Sequence, residues 1–72
     1  MHQDMAGRLT PREHQVAVEL SYGSSNRDIA QRLGLSVHTV RHHTERVLAK
    51  LRVRSRAAVG RRLVEINADA AY

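Results

Sequence analysis

The sequence predicts an all-α domain of four helices, and three observations lead to this fold class. Apolar residues recur at helical spacing, no stretch alternates apolar and polar residues with period two, and a capping residue precedes each predicted helix. A chain of 72 residues allows one domain, and so short a chain needs regular local structure to support its small core. The chain has no cysteine, which excludes disulfides, cysteine-ligated zinc and a thiol nucleophile.

Caps and glycines delimit the first two predicted helices. Thr10 and Glu13 are spaced as a capping box, and Gly23 ends the helix that they open. Ser25 caps the second helix, which ends at Gly34. The apolar faces of these two helices contain Val16, Ala17, Leu20, Ile29, Ala30 and Leu33.

Serine caps also predict the third and fourth helices. Ser36 caps the third helix, which runs to about Leu51, and Ser55 caps the fourth. The connection 34–36 between the second and third helices is short enough for a helix-turn-helix. The core side of the fourth helix carries Val59, Leu63 and Ile66.

We expect one folded unit over residues 9–66, with a flexible segment or linker remnant at 1–8 and a tail at 67–72. No apolar run approaches the length of a membrane span, and the N-terminus has no basic region followed by an apolar stretch. The sequence therefore predicts a cytoplasmic module without a secretory signal.

Basic residues are concentrated in one part of the chain. Residues 37–62 contain eight basic residues and one acidic residue, a net charge of +7, whereas residues 1–36 are balanced. The whole chain has a formal net charge of +5. A neutral half beside a strongly basic segment indicates a surface for phosphate groups.

Projection of the third helix at about 100° per residue separates two faces. The apolar face holds Val37, Val40, Thr44, Val47, Leu48 and Leu51. The polar face holds His38, Arg41, His42, Glu45 and Ala49, with Arg46 at its margin. Arg41 is able to donate to guanine and Glu45 to accept from cytosine, or the two form a surface ion pair. His38 and His42 are able to donate to bases or to touch a thymine methyl group.

Several motifs in a fixed order resemble one family. The motifs are LTPRE at 9–13, Gly23, SNRDIAQRLGLS at 25–36, TVRHH at 39–43, KL at 50–51 and VRSR at 53–56. Together they resemble the LuxR/FixJ (GerE-like) DNA-binding domain over residues 9–66. The resemblance implies a four-helix helix-turn-helix domain of the LuxR/FixJ type, as in bacterial transcription regulators and response regulator output domains. It also implies sequence-specific binding of double-stranded DNA, with the third helix in the major groove.

The resemblance assigns roles to individual residues. Arg41, His42 and Glu45 occupy base-reading positions, and His38 joins them from its place on the polar face. Positions that meet the phosphate backbone are Ser25, Asn26, Thr39, His43, Arg46 and Lys50. Arg52 stands where the family commonly has Gly or Asn, and a left-handed backbone would strain an arginine. We therefore expect this helix end to differ.

The fourth helix carries a second apolar line, formed by Ala57, Gly60 and Val64. This line is either part of a broad buried face or a homodimer contact in which Gly60 permits close approach. A two-fold dimer would read two half-sites about one DNA turn, or a multiple of it, apart. We expect duplex DNA and a second copy of the chain as partners, RNA polymerase as a further candidate, and no membrane.

Two alternative binding functions agree less well with the sequence. A sigma-factor region-four domain shares a similar helix-turn-helix, but the continuation VRSRAAV into a fourth helix argues against it. A protein-interaction module that retains the fold would not need the basic segment 37–62, although a partner with an acidic face would fit it.

Metal binding and catalysis have the least support. His38 and His42 lie at i,i+4, but zinc needs further ligands and only Glu45 is near. The serines are better explained as the helix caps Ser25, Ser36 and Ser55. We therefore expect neither an enzymatic activity nor a cofactor.

Overall fold

Four α-helices and one short 3-10 helix form the part of the chain that the computed structural model describes, residues 8–70 with side chains through residue 66. The elements are α1 at Pro11–Ser21, α2 at Asn26–Leu33, α3 at Val37–Leu51, the 3-10 helix at Arg56–Ala58 and α4 at Val59–Ala70. Residues 8–70 contain no strand, and the predicted all-α fold is confirmed. Of the predicted flexible ends, 1–7 and 71–72 lie outside the described residues, whereas 67–70 prolong α4.

Three of the four predicted caps are confirmed. Thr10 Oγ1 accepts from the backbone N–H of Glu13 at 3.1 Å, and Glu13 Oε1 accepts from the backbone N–H of Thr10 at 2.9 Å. Ser25 and Ser36 each accept from the backbone N–H three residues later, at 3.1 and 3.0 Å. These bonds satisfy N–H groups that the first turn of a helix otherwise leaves unpaired.

The predicted side-chain cap at Ser55 is wrong. Its φ is −135°, whereas Ser25 and Ser36 have φ near −75° and −77°, and its side chain makes no cap hydrogen bond. The Ser55 carbonyl instead accepts from the backbone N–H of Ala58 at 3.1 Å, which opens the 3-10 helix. Helix α4 therefore begins only at Val59.

The turn between α2 and α3 depends on a left-handed residue. Gly34 has φ 69° and ψ 36°, a conformation that glycine adopts without a steric penalty. The backbone N–H of Leu35 then donates to the Ala30 carbonyl at 2.9 Å and closes the end of α2. The chain reverses within three residues, so α2 packs against α3 as the predicted helix-turn-helix requires.

The C-terminal end of α3 has the left-handed backbone that we expected Arg52 to avoid. Arg52 adopts the left-handed conformation itself, with φ 59° and ψ 44°, so the predicted departure is wrong. The backbone N–H of Val53 donates to the Leu48 carbonyl at 3.1 Å, and Val53 packs against the core. This bond and this packing offset a backbone cost of about 1–2 kcal/mol for a residue other than glycine.

Helix α1 packs against α3, the 3-10 helix and α4. The buried apolar core consists of Val16, Ala17, Leu20, Ile29, Ala30, Val40, Val47, Leu51 and Val59. Val37 is 40% exposed, so its predicted place on the buried face is wrong, and that face begins at Val40. Across the described residues, no helix has both the length and the apolar character that crossing a bilayer requires.

Candidate nucleic-acid interface

The polar face of α3 is exposed to solvent, which confirms the predicted separation of its two faces. The exposed side chains are His38, Arg41, His42, Glu45 and Ala49, with Arg46 beside them. The buried side chains on the opposite face are Val40, Thr44, Val47 and Leu51. The Ser36 cap and the α2–α3 turn fix the start of this helix. They therefore fix the direction in which the exposed residues 38, 41, 42, 45 and 49, here called the polar row, face.

Arg41 and Glu45 form no ion pair with each other or with any other described residue. The surface ion pair considered as an alternative for Glu45 is thus not formed. Nor do the described residues contain a group of three or more His, Cys, Asp or Glu side chains that could hold a metal ion. The polar row is therefore available to an external partner.

Three neutral side chains at predicted phosphate positions have an occupied acceptor and an unused donor hydrogen. Ser25 Oγ accepts from a backbone N–H in the first turn of α2 at 3.1 Å, and Thr39 Oγ1 accepts from the Ser36 hydroxyl at 2.9 Å. Asn26 Oδ1 accepts from the Arg56 guanidinium at 2.6 Å. Because phosphate oxygens only accept hydrogen bonds, the remaining hydroxyl and amide hydrogens suit a phosphate partner.

His43 is half-buried on α3. Its Nδ1 atom is enclosed and has no hydrogen-bond partner among the described residues, and the same is true of Oγ1 of the adjacent Thr44. The enclosed Nδ1 cannot meet a phosphate. The predicted phosphate role of His43 is therefore restricted to Nε2.

Glu13 connects α1 to α3 through a buried carboxylate, and its side chain is 3% exposed. Its Oε1 accepts from the Lys50 ammonium at 2.7 Å, and its Oε2 accepts from Arg46 Nε at 3.1 Å. Burial raises the pKa of Glu13, but hydrogen bonds from Lys50, Thr10 and Arg46 and the charge of Lys50 outweigh it and lower the pKa to about 2. Glu13 thus remains ionised inside the fold.

The two basic residues bound to Glu13 differ in exposure. The Lys50 side chain is 11% exposed and its ammonium faces the carboxylate, so its place is explained by an internal partner. The Arg46 side chain is 54% exposed and uses only Nε within the described part of the chain. The sequence predicts a phosphate contact for both and only a capping role for Glu13, since Lys50 lies 37 residues away from it.

Arg56 is a further candidate for the interface, and the sequence alone does not indicate its role. Its Nη1 donates to Asn26 Oδ1 at 2.6 Å, and its Nη2 donates to the Ser24 carbonyl at 2.7 Å. These residues line an open pocket of about 490 Å³ between the start of α2 and the 3-10 helix. The contact spans 30 residues of sequence, so no local pattern indicates it.

The three residues of the predicted dimer contact, Ala57, Gly60 and Val64, do not form one exposed surface in the structure. Ala57 is exposed, and Val64 is 67% exposed. Gly60 instead lies against α1 of the same chain, where a Cβ atom would come within 3.3 Å of Ser21 Cβ. The close approach that Gly60 permits is thus made within the chain.

The side chains of four basic residues in the segment 37–62 have no hydrogen-bond or ion-pair partner among the described residues. They are Arg41, Arg52, Arg54 and Arg61. All four are exposed. Unneutralised guanidinium groups keep the field of this segment positive, which attracts a polyanion.

Comparison with known families matches residues 7–63 to GerE, described as bacterial regulatory proteins of the luxR family. The match includes α1, α2, α3, the 3-10 helix and the first turn of α4. No solved structure matches the chain significantly.

Similar proteins are transcriptional regulators by name. Transcriptional regulatory protein LnrK of Bacillus subtilis is 44% identical over 48 residues, which are 67% of this chain and 22% of that protein. Nitrate/nitrite response regulator protein NarP of Escherichia coli is 46% identical over 56 residues, 78% of this chain and 26% of that protein. Putative HTH-type transcriptional regulator Rv0890c of Mycobacterium tuberculosis is 50% identical over 50 residues, 69% of this chain and 6% of that protein. The chain thus spans between 6% and 26% of the length of these relatives.

Proposed function

The chain belongs to the luxR family of bacterial regulatory proteins, whose members bind DNA, and from this premise we propose that it binds a specific sequence of double-stranded DNA to regulate transcription. In this proposal α3 lies in the major groove, where its exposed row contacts base edges. Donors beside that row contact phosphates and set the register. The family match favours this function over a sigma-factor region-four domain.

The observation that carries the proposal is the exposed polar row of α3, whose side chains have no ion-pair partner among the described residues. Arg41 presents a guanidinium fork that matches guanine O6 and N7. Glu45 presents a carboxylate that accepts from cytosine N4. His38 and His42 donate to bases or touch a thymine methyl group.

Phosphate contacts are assigned to side chains that keep a free donor. These are Ser25, Asn26, Thr39 and Arg46. We also keep His43, through Nε2, as a phosphate contact implied by the family resemblance, because its Nδ1 is enclosed. We assign the ammonium of Lys50 to Glu13 in place of the phosphate contact predicted from the sequence, because it is nearly buried and already paired.

We propose that two copies bind together on DNA through Ala57 and Val64. Both side chains are exposed and apolar, which suits a small contact between copies. A two-fold arrangement would place two α3 helices in major grooves about one turn, or a multiple of it, apart. Gly60 contributes to such a contact only through the surface that its packing on α1 leaves open.

The cellular setting is proposed from the relatives. NarP is by name a response regulator, and the chain matches about a quarter of it. We propose that the chain is an output domain of the same kind, that it works in the cytoplasm where bacterial DNA lies, and that RNA polymerase is its further partner in transcription.

Selection of binding sites from random duplex DNA tests the proposal. We expect a defined half-site that occurs twice with fixed spacing and two-fold symmetry. Affinity for the selected duplex is expected to fall steeply between about 50 and 200 mM salt, because bound arginines release counterions from phosphates. Selection of no sequence, together with binding that is independent of salt, would favour the protein-interaction module instead.

A further inference from the structure

We propose that Glu13 is a positioning residue of the DNA interface, whose buried carboxylate holds Arg46 by Nε so that its two Nη groups face a phosphate. The inference rests on the proposed function. It gives an acidic side chain of α1, which itself has no access to DNA, a part in binding a polyanion.

The Glu13 carboxylate is a fixed acceptor. Its side chain is 3% exposed, and each of its oxygens has a partner. Oε1 accepts from the backbone of Thr10 at 2.9 Å and from Lys50 at 2.7 Å, and Oε2 accepts from Arg46 Nε at 3.1 Å. Because Arg46 and Lys50 lie at i,i+4, one carboxylate contacts two successive turns of α3.

Arg46 keeps most of its donors. A guanidinium has five N–H groups, and among the described residues only the one on Nε is used. Nη1 and Nη2 carry the other four, and one N–H from each lies on the outer edge that binds phosphate with two parallel hydrogen bonds. Arg46 also follows His42 by four residues, so its guanidinium lies beside the base-reading row.

Charge balance in this cluster favours the same conclusion. Lys50 is 11% exposed and its positive charge offsets that of the buried Glu13 carboxylate. The remaining positive charge belongs to Arg46, which is 54% exposed. The cluster therefore presents one net positive charge to solvent, on a side chain whose freedom is already restricted before DNA arrives. Such preorganisation reduces the entropy lost on binding.

The sign of one substitution separates positioning from simple charge counting. Glu13→Gln removes a negative charge, so DNA binding should become tighter if only the net charge matters. If Glu13 positions Arg46, binding should instead become weaker by about two- to tenfold, because the long Arg46 side chain must then be ordered on binding. The affinity for the selected duplex would be measured by fluorescence anisotropy for wild type, Glu13→Gln, Arg46→Ala and the double variant.

We expect Arg46→Ala to weaken binding and to reduce the slope of log affinity against log salt by about one. In that background Glu13→Gln should have no further effect, because the side chain that it positions is absent. Unchanged or tighter binding by Glu13→Gln, or an equal loss in both backgrounds, would overturn the inference.

Arg46→Lys keeps the test decisive if Glu13→Gln fails to fold, since that change leaves Lys50 buried without a carboxylate. A lysine at position 46 retains the charge, but its three donors share one nitrogen, so an ammonium held by Glu13 does not present a separate bidentate edge to a phosphate. We expect Arg46→Lys to fold like wild type and to bind DNA like Arg46→Ala. Wild-type affinity and salt slope for Arg46→Lys would overturn the inference.

Arg12→Lys is the matched control, because Arg12 is exposed on α1, lies outside the basic segment 37–62, and has no ion-pair partner among the described residues. It is expected to retain wild-type affinity. If the wild-type chain bound no duplex DNA, the proposed function and this inference would both fail. If the wild type bound and Arg46→Lys bound equally well, only the inference would fail.

Discussion

Arg56 donates a hydrogen bond from Nη1 to Oδ1 of Asn26 at 2.6 Å, which joins the segment after α3 to the first residue of α2. Its Nη2 donates to the Ser24 carbonyl at 2.7 Å. The Arg56 side chain thus contacts both the turn before α2 and the side-chain amide of Asn26. Because a guanidinium only donates, this contact orients the Asn26 amide with its N–H groups free. The proposed phosphate contact at Asn26 thus depends on a residue thirty positions later.

Arg56→Ala is expected to lower the free energy of unfolding by about 2 kcal/mol, because two hydrogen bonds from a charged donor are lost. Urea unfolding of both proteins would measure the difference. Arg54→Ala is the matched control, since Arg54 is exposed and unpaired among the described residues. An equal effect of the two substitutions would contradict the role given to Arg56.

Acidification is expected to remove the contribution of Glu13 to stability. Its pKa is about 2 in the folded chain and 4.5 ordinarily, so the unfolded state binds its proton more readily. The stabilisation is therefore complete above pH 4.5 and declines as the pH falls toward 2. Its full size is about 3 kcal/mol as an upper bound, from the free energy that corresponds to such a shift.

Urea unfolding between pH 7 and about pH 3 measures this decline, with two variants for comparison. The difference in stability between wild type and Glu13→Gln should narrow as the pH falls. Glu45→Gln removes an exposed carboxylate and should keep the wild-type decline. A constant difference between wild type and Glu13→Gln would contradict the prediction.

Two serines at helix starts are expected to differ in their contribution to stability. Ser36→Ala removes a cap hydrogen bond to Thr39 and should cost about 1 kcal/mol, or a fall in Tm of about 4–8 °C. Ser55→Ala removes no such bond and should change stability by less than about 0.5 kcal/mol. Thermal unfolding by circular dichroism measures both, and equal losses would show that Ser55 is a cap after all.

Arg41→Ala is expected to weaken binding to the selected duplex by about 1–3 kcal/mol and to relax the preference at one base pair, because a bidentate contact with guanine is lost. Competition gel shifts with single-base variants of the duplex measure both effects. Arg61→Ala removes the same charge from α4 and should leave base preference intact. Unchanged selectivity in Arg41→Ala would refute the assignment of Arg41 to a base.

Val64→Asn is expected to abolish the cooperativity with which two copies bind DNA, while leaving the domain folded. Val64 is 67% exposed, so the change should alter stability by less than about 0.5 kcal/mol. On a duplex with two half-sites, the single cooperative gel-shift step should become two steps, whereas affinity for a single half-site should not change. Retained cooperativity would place the dimer contact elsewhere.

Local features of the fold could be predicted from the sequence. The caps at Thr10, Ser25 and Ser36 involve atoms three residues apart, and Gly34 needs only its own backbone freedom to form the turn. The polar face of α3 follows from helical periodicity. These features arise within one or two helical turns, so the residue types determine them before any packing occurs.

The prediction failed where backbone direction is set by packing. Ser55 has the residue type of a cap, but its φ of −135° comes from the path of the chain into the 3-10 helix. Arg52 accepts a left-handed backbone because Val53 must reach the core behind it. In both cases tertiary packing outweighs a local preference of about 1–2 kcal/mol.

By itself, the sequence determined four helices, a helix-turn-helix spacing and a row of polar side chains on one face of α3. Only the tertiary structure decided that Lys50 and Arg46 share the carboxylate of Glu13, and that Arg56 holds Asn26. The residues of these pairs lie 30 to 37 positions apart in the sequence. No periodic pattern in a sequence indicates which distant residue a charged side chain will contact. Which basic residues remain available to DNA therefore depends on how α1 and α3 pack, because a buried carboxylate must be paired wherever the fold encloses it.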